Sequence, residues 1–498
     1  MYLEIVPQII NFKKNGKTIG LVHGVFDVIH VGHIKYFEEA KKKVDILIAS
    51  VTEDKFANKA PGKPIFTTEQ RIEVLKNIKT LDYVIKSLKS TSVDIINAIK
   101  PDIYFKGKDY KESIDVTKNI LKEEKAVKKN GGKIIFTESE IFSSSKIINE
   151  SFKYLNPEFQ NFIKKNNIKG LKDKFYNTFK DKINKKILIL GDPIIDVYKY
   201  VKPTGKSNKA TIISTLYKNK KNYGGGIFLT ANALSNFFKE VNLLKFSNKN
   251  NDHLYKSFLK KNIKTVKIKT EVNLIKKVRY IDNYSNNKLF QVTENEDLVI
   301  DKKTNNKIIK IIKNLIKKSD YIFIFDYGYF SLNNQIIELI NKSSNQKKII
   351  NCQTNSYNYG FNNFTKYKES KIMCVDELEF RLATNDQTSS ILELFNKNHN
   401  LLKKYKDFIV TLGKNGCIIK SGKKINYVPT LFNIGKDTIG CGDIFMSVLG
   451  MLKISNKFSP IECCIISHLA AGIHANSYGN ENIIDFQKMF KAIDNLIK

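Results

Sequence analysis

Twice along the chain a short run of apolar residues leads straight into a glycine-containing turn: residues 19–25 (IGLVHGV) and residues 187–192 (ILILGD). An apolar run without polar alternation suits a strand covered on both faces, as in parallel sheets flanked by helices. Each run therefore predicts the opening strand of its own α/β sheet. At 498 residues the chain is long enough for two such domains.

After the first run, residues 34–43 read as helix, 45–51 as strand, 69–78 as helix, and 103–106 and 134–137 as further strands. This is a βαβ succession. Residues 152–186, rich in Lys, Asn and Phe, read as one or two amphipathic linking helices. Beyond them, residues 321–325 (YIFIF), 348–352 (KIINC), 371–375 (KIMCV) and 407–412 (DFIVTL) are spaced like successive strands of one large α/β unit, with helices such as 307–317 between them. The expected organisation is an α/β domain at residues 1–152, a helical linker at 153–184 and a second α/β domain at 185–498.

Composition narrows the partners. The 84 Lys+Arg against 49 Asp+Glu give a formal net charge of +35, but the lysines are spread over the whole length, as expected of solvated faces. Without zinc-finger spacing or a basic heptad region, no specific nucleic-acid partner is expected. A positive field also concentrates phosphorylated metabolites. No apolar run approaches the roughly 18 residues of a membrane helix, so no membrane partner is expected. The six cysteines lack CxxC pairing, and residues 1–20 lack the pattern of an export signal, so the expected location is cytoplasmic. His468 and His474, six apart on a predicted helix, do not share a face as a metal pair would.

The segment HGVFDVIHVGHIKYFEEAKK places Gly24, Val25, Phe26, Asp27, His30, Gly32 and His33 between the first strand and a helix. A glycine turn lets backbone N–H groups approach phosphates, and the helix start adds free donors and positive dipole. Two histidines three residues apart project to one side. There they can donate to a phosphoryl transition state and to departing pyrophosphate. The G-x-F-D-x-x-H-x-G-H pattern resembles the signature of cytidylyltransferase-like nucleotidyltransferases over roughly residues 18–152. The resemblance implies catalytic His30 and His33, and nucleotide binding by Gly24, Val25, Phe26, Lys59, Arg71 and the SSSK hydroxyls of Ser143, Ser144 and Ser145. Residues 100–112 and 130–148 look most like the adenylyltransferase half of bifunctional heptose 7-phosphate kinase/heptose 1-phosphate adenylyltransferases. Acidic Glu138 and Glu140 stand where a related cytidylyltransferase carries arginine, which leaves ATP and CTP both open.

The second constellation is GKDTIGCGDIFMSVLGML, with Gly440, Cys441, Gly442 and Asp443 leading into an apolar helix. Small residues at a helix start form an anion hole, and an aspartate at its edge can take a proton from a hydroxyl attacking a γ-phosphate. With its neighbours, this segment resembles the D-T-x-G-A-G-D hallmark of ribokinase-like, PfkB-type sugar kinases over roughly residues 185–498, with Cys441 in place of alanine. The resemblance implies Asp443 as catalytic base. It places Asp192, Asp196, Gly224, Gly225 and Asp326 on the substrate side, Gly413 and Gly416 with Gly440, Cys441 and Gly442 at the nucleotide, and Glu379 at magnesium. Departures cluster on the acceptor side: Phe228 and Asp376 replace family asparagines, and residues 351–362 (NCQTNSYNYGFN) replace an Asp-Pro-Lys stretch.

The expected fold is therefore α/β in two domains, a Rossmann-like nucleotidyltransferase followed by a ribokinase-like kinase, reversed in order from the heptose enzymes it resembles. The implied activities are ATP-dependent phosphorylation of a sugar or sugar phosphate, and transfer of a nucleotidyl group from ATP or CTP to a sugar phosphate, both with Mg²⁺. The alternative is a nucleotidyltransferase whose kinase-like half only binds sugar or dimerises. A homodimer is compatible with either.

Overall fold

The computed structural model describes residues 4–57, 63–107, 119–138, 155–207, 210–294, 300–329, 331–432 and 435–497. Two compact units emerge: Met1–Tyr154 with Phe490–Lys498, and Leu155–Met489.

In the first unit, strands β1 (Ile19–Gly24), β2 (Ile46–Thr52), β3 (Tyr83–Ser87), β4 (Ile103–Gly107) and β5 (Lys133–Thr137) form one sheet in the order β3-β2-β1-β4-β5, with every pairing parallel. The apolar runs anticipated from sequence account for β1, β2, β4 and β5, and their side chains fill two clusters, one on each face. Strand order reverses between β1 and β4. In open α/β sheets ligands bind beyond the carboxyl ends of strands at such a reversal, which is where the histidine segment emerges.

The second unit is built on β6 (Ile183–Gly191), β7 (Pro193–Lys206), β8 (Ile213–Gly226), β9 (Phe238–Ser247), β10 (Lys264–Lys269), β11 (Ile275–Asp282), β12 (Lys288–Glu294), β13 (Tyr321–Asp326), β14 (Lys348–Cys352), β15 (Ser370–Asp376), β16 (Tyr405–Thr411), β17 (Cys417–Ser421) and β18 (Lys424–Val428). Nine of them form a sheet in the order β10-β9-β6-β13-β14-β15-β16-β17-β18, parallel except at β16-β17-β18. The other four form a separate sheet, β12-β11-β7-β8, that the sequence reading did not anticipate. The helices Cys441–Ser455 and Pro460–Ala475 are buried along most of their length. Glycine is required where the first of these passes the large sheet, since a Cβ on Gly450 would lie 2.5 Å from the Phe323 ring.

Between residues 152 and 186 the chain forms two helices, Pro157–Lys165 and Leu171–Phe179, and both belong to the second unit. Phe175 and Phe179 pack edge-on against Phe237, and Lys174 pairs with Glu462 at 2.7 Å.

Candidate functional sites

In the first unit, Gly24 ends β1 and Phe26 turns the chain with φ of +51°. A Cβ on Gly24 would lie 3.0 Å from the Phe26 ring, so a bare backbone lets that ring fold back. Phe26 then supports His33 and Phe37 edge-on, at centroid distances of 5.6 and 5.4 Å. His30 caps the helix Val31–Lys41 from an extended backbone. The His30 and His33 rings lie 3.9 Å apart, their planes 30° from parallel, and both are partly exposed. The Asp27 carboxylate accepts from Ile65 N at 2.7 Å and Phe66 N at 3.2 Å, tying the loop before the next helix to this turn.

Behind the turn, His23 contacts Ser50 Oγ at 3.0 Å. Burial, aided by nearby Lys106, pushes its pKa down to about 4, so this imidazole is neutral. Lys106, at the end of β4, pairs with buried Glu123 at 3.1 Å. Neither histidine nor lysine here was singled out from sequence.

Arg71, expected among the nucleotide-binding residues, is turned into the interior of the first unit. Its side chain is 1% exposed, and its guanidinium donates to the backbone oxygens of Val25, Phe66 and Thr52 and to the Asp54 carboxylate. It clamps the ends of β1 and β2 to the helix Thr68–Lys76, whose Thr67–Gln70 capping box fixes the helix start. Lys59, Ser143, Ser144 and Ser145 lie outside the described residues.

In the second unit a cavity of about 650 Å³ gathers residues far apart in sequence: Asp443, Gly440, Cys441 and Gly442 from the helix start, Glu379 from the helix Glu377–Thr384, and Gly413 from the turn after β16. Gly440 has φ of +79°, and a Cβ there would lie 2.7 Å from Leu229, whereas a Cβ on Gly442 would meet nothing within 4 Å. At the helix start Cys441 N donates to the Thr438 carbonyl at 3.2 Å, and Gly442 presents an open backbone to the cavity. Gly416, with φ of +94°, turns the chain where a Cβ would strike the Val428 carbonyl at 2.2 Å.

Burial pushes the Asp443 carboxyl up to about 6 against hydrogen bonding that favours its ionised form, including a bond from Gln353 Nε2 at 2.7 Å. Glu379 and Asp376 form a capping box: each carboxylate accepts the other's backbone N–H at 2.7 Å. Glu379 also accepts from Thr354 N at 2.9 Å, and burial, then the Asp376 charge, push it up to about 8. His468 lines the same cavity, with burial lowering its pKa to about 4.

The acceptor-side residues are arranged around internal partners. Asp196 takes Arg279 of β11 at 2.5 Å and Asn480 at 3.2 Å. At the end of β8, Tyr223 stands opposite Asp196, while Gly224 and Gly225 stand opposite Ile195 and Ile194. Asp192 accepts from the Ser331 backbone and hydroxyl at 3.0 and 2.7 Å. Asp326 is ringed by the Tyr367 hydroxyl and Lys366 ammonium, each at 2.6 Å, and by Gly328 N at 2.9 Å. Asp192 and Asp326 thus brace the loops after β13 and β14. Phe228 is fully buried against Tyr255 and Phe258, so this departure from the family asparagine belongs to the core. Asp437 bonds Tyr198 of β7 and Lys288 of β12 at 2.5 and 2.6 Å, which fastens the small sheet to the glycine-rich segment.

The model of the pfkB carbohydrate kinase family matches residues 184–485, more than half the chain. The chain belongs to the pfkB family of carbohydrate kinases. Ahead of the pfkB unit, the cytidylyltransferase-like model matches residues 21–150, so a nucleotidyltransferase-like domain precedes the kinase domain. Bifunctional protein HldE of Aliarcobacter butzleri is 38% identical over 120 residues, covering 24% of this chain and 25% of that protein. HldE of a Nitratiruptor species is 36% identical over 123 residues, covering 24% and 26%. The chain therefore aligns with about a quarter of the length of these curated relatives. Phosphofructokinase-2 from Escherichia coli superposes with a TM-score of 0.51 at 12% identity, over 63% of this chain and 100% of that one, a likeness of fold alone. The pfkB unit is accordingly ribokinase-like, and ATP use follows from the family. Among the described residues no helix is long and apolar enough to cross a membrane.

Proposed function

We propose that the chain is a bifunctional enzyme of sugar-nucleotide synthesis, its pfkB domain phosphorylating a sugar or sugar phosphate from ATP and its N-terminal domain joining a sugar phosphate to a nucleotide from ATP or CTP. A heptose-like substrate is the analogy offered by the HldE relatives. The observation that carries the kinase half is the cavity that unites Asp443, the Gly440–Gly442 backbone, Gly413 and Glu379.

In the kinase step Asp443 takes the proton of the acceptor hydroxyl as that oxygen attacks the γ-phosphorus, and the bond to the ADP oxygen breaks. The first-turn N–H groups carry the charge that develops on the transferred group. Glu379 is the residue that would hold Mg²⁺, which when bound neutralises phosphate charge. Its donor chemistry fits: the carboxylate lines the cavity that holds Asp443, and magnesium commonly takes one or two carboxylates and completes its shell with water and phosphate. In the transferase step a sugar phosphate oxygen attacks the α-phosphorus and pyrophosphate leaves. His30 and His33 donate to the phosphate oxygens, and Phe26 keeps the His33 ring in place.

The test is pyrophosphate release with ATP or CTP against a panel of sugar phosphates, beside ADP formation from the free sugars and sugar phosphates. Release from a phosphate, and from its precursor only when ATP is added, supports both activities acting in sequence. Release without any acceptor-dependent ADP overturns the kinase half and leaves it as a binding or dimerisation module.

A further inference from the structure

Gln353 follows β14 and lines the same cavity as Asp443. Its Nε2 donates to Asp443 Oδ1 at 2.7 Å and to Asn351 Oδ1 at 2.6 Å. Asn351, buried on β14, donates from Nδ2 to the Cys374 carbonyl of β15 at 3.0 Å. A backbone carbonyl only accepts, so the Asn351 amide has one favoured orientation and turns Oδ1 toward Gln353. Gln353 then faces two acceptors at once and can satisfy both only with Nε2 between them. Donation therefore diverges from Gln353 Nε2, one hydrogen going to the Asp443 carboxylate and the other to Asn351, which passes donation on to the main-chain carbonyl of β15.

We propose that Gln353 is a positioning residue for phosphoryl transfer, anchored through Asn351 to β15, that turns Oδ1 of Asp443 aside and leaves Oδ2 to receive the acceptor proton. The inference rests on the kinase reading. The other charged or titratable groups facing Asp443 are Lys277 and Asp196 from the small sheet, Tyr327 after β13, Glu379, and the thiols of Cys374 and Cys441. The Tyr327 hydroxyl also favours the ionised carboxylate, but none of these groups connects it to β15. Asp443 itself sits in the first turn of its helix, and its carboxylate takes its direction from side-chain partners.

The test uses the full chain carrying aspartate labelled with carbon-13 at the side-chain carboxyl, with the Asp443 signal assigned by its loss in Asp443→Asn. Its titration is followed in the unmutated protein, in Gln353→Met, in Asn351→Leu and in the double variant. Gln353→Met keeps length and removes the donor, so the midpoint is expected to rise by about one pH unit, a tenfold change in proton affinity. Asn351→Leu should raise it in the same direction by less. The double variant should match Gln353→Met alone, because the two residues act in series. In the kinase assay kcat should fall about tenfold while KM for ATP stays within about twofold. An unchanged midpoint in Gln353→Met overturns the proposal, as does full additivity of the two substitutions. If Gln353→Met fails to fold, an unchanged midpoint in Asn351→Leu has the same force. Failure of the kinase reading is separate: it is the absence of acceptor-dependent ADP in the unmutated protein, whatever the titration reads.

Discussion

The Asp196 carboxylate occupies the space that a side chain on Gly225 would need: an added Cβ would lie 2.1 Å from Oδ2. The same carboxylate pairs with buried Arg279 on the neighbouring strand. Gly225→Ala must therefore displace Asp196 and strand a buried guanidinium, at an expected cost of about 3 kcal/mol. Gly442→Ala, with nothing within 4 Å of the new methyl, should leave unfolding by urea within about 1 kcal/mol of the unmutated protein. It should instead weaken ATP binding, because the methyl enters the anion hole. Equal destabilisation by the two substitutions would count against this assignment of space.

The histidine pair makes a prediction confined to the first unit. With the rings 3.9 Å apart on a support of Phe26, removing one imidazole leaves the other without its neighbour but leaves the turn intact. His33→Ala should lower pyrophosphate release by about 10²- to 10³-fold, the scale of losing one transition-state donor. ADP formation at Asp443 should continue in the same preparation. Loss of both activities in folded protein would show that the sites are not independent.

Much of this was legible in the sequence because the signals are local. The strand-turn-helix passages around His30 and Asp443 each lie within about 20 residues, and apolar runs such as YIFIF mark strands buried on both faces. The small sheet was not legible. Residues of β8 such as Ile213, Leu216 and Tyr217 are exposed among lysines, so neither a buried run nor a clean alternation marks the strand. Partners across the fold were equally hidden: Gln353 reaches Asp443 over 90 residues, and Asn480 reaches Asp196 over 284. No spacing rule connects such pairs. The inward turn of Arg71 was hidden as well, because its burial is set by loops that surround it only in the folded chain.

That burial yields its own prediction. Arg71 holds Val25, Thr52, Phe66 and Asp54 together through several donors of one planar group. Lysine supplies a charge but not the fork, so Arg71→Lys should fail to restore what Arg71→Ala loses, about 3 to 5 kcal/mol. Hydrogen exchange of the β1 and β2 amides is the readout, since it reports the first unit separately. Near-complete rescue by lysine would show that only the charge matters.

Asp443 supplies the last prediction, with a sign that follows from its environment. Burial raises its carboxyl from an ordinary 3.8 to about 6. The folded state therefore binds this proton more tightly than the unfolded chain, and stability falls as pH rises between roughly 4 and 6. Above that window the ionised group costs about 2 to 3 kcal/mol. Asp443→Asn removes the charge while keeping the shape, so at pH 8 the variant should unfold at higher urea than the unmutated protein. The gap should close below about pH 4, where both states of the unmutated protein hold the proton. The same ionised carboxylate is the kinase base, so acceptor-dependent ADP formation should decline on the acid side of about pH 6 and be lost in the variant at every pH. A variant both inactive and less stable at pH 8 would mean that the carboxylate contributes more through its bond to Gln353 than its burial costs.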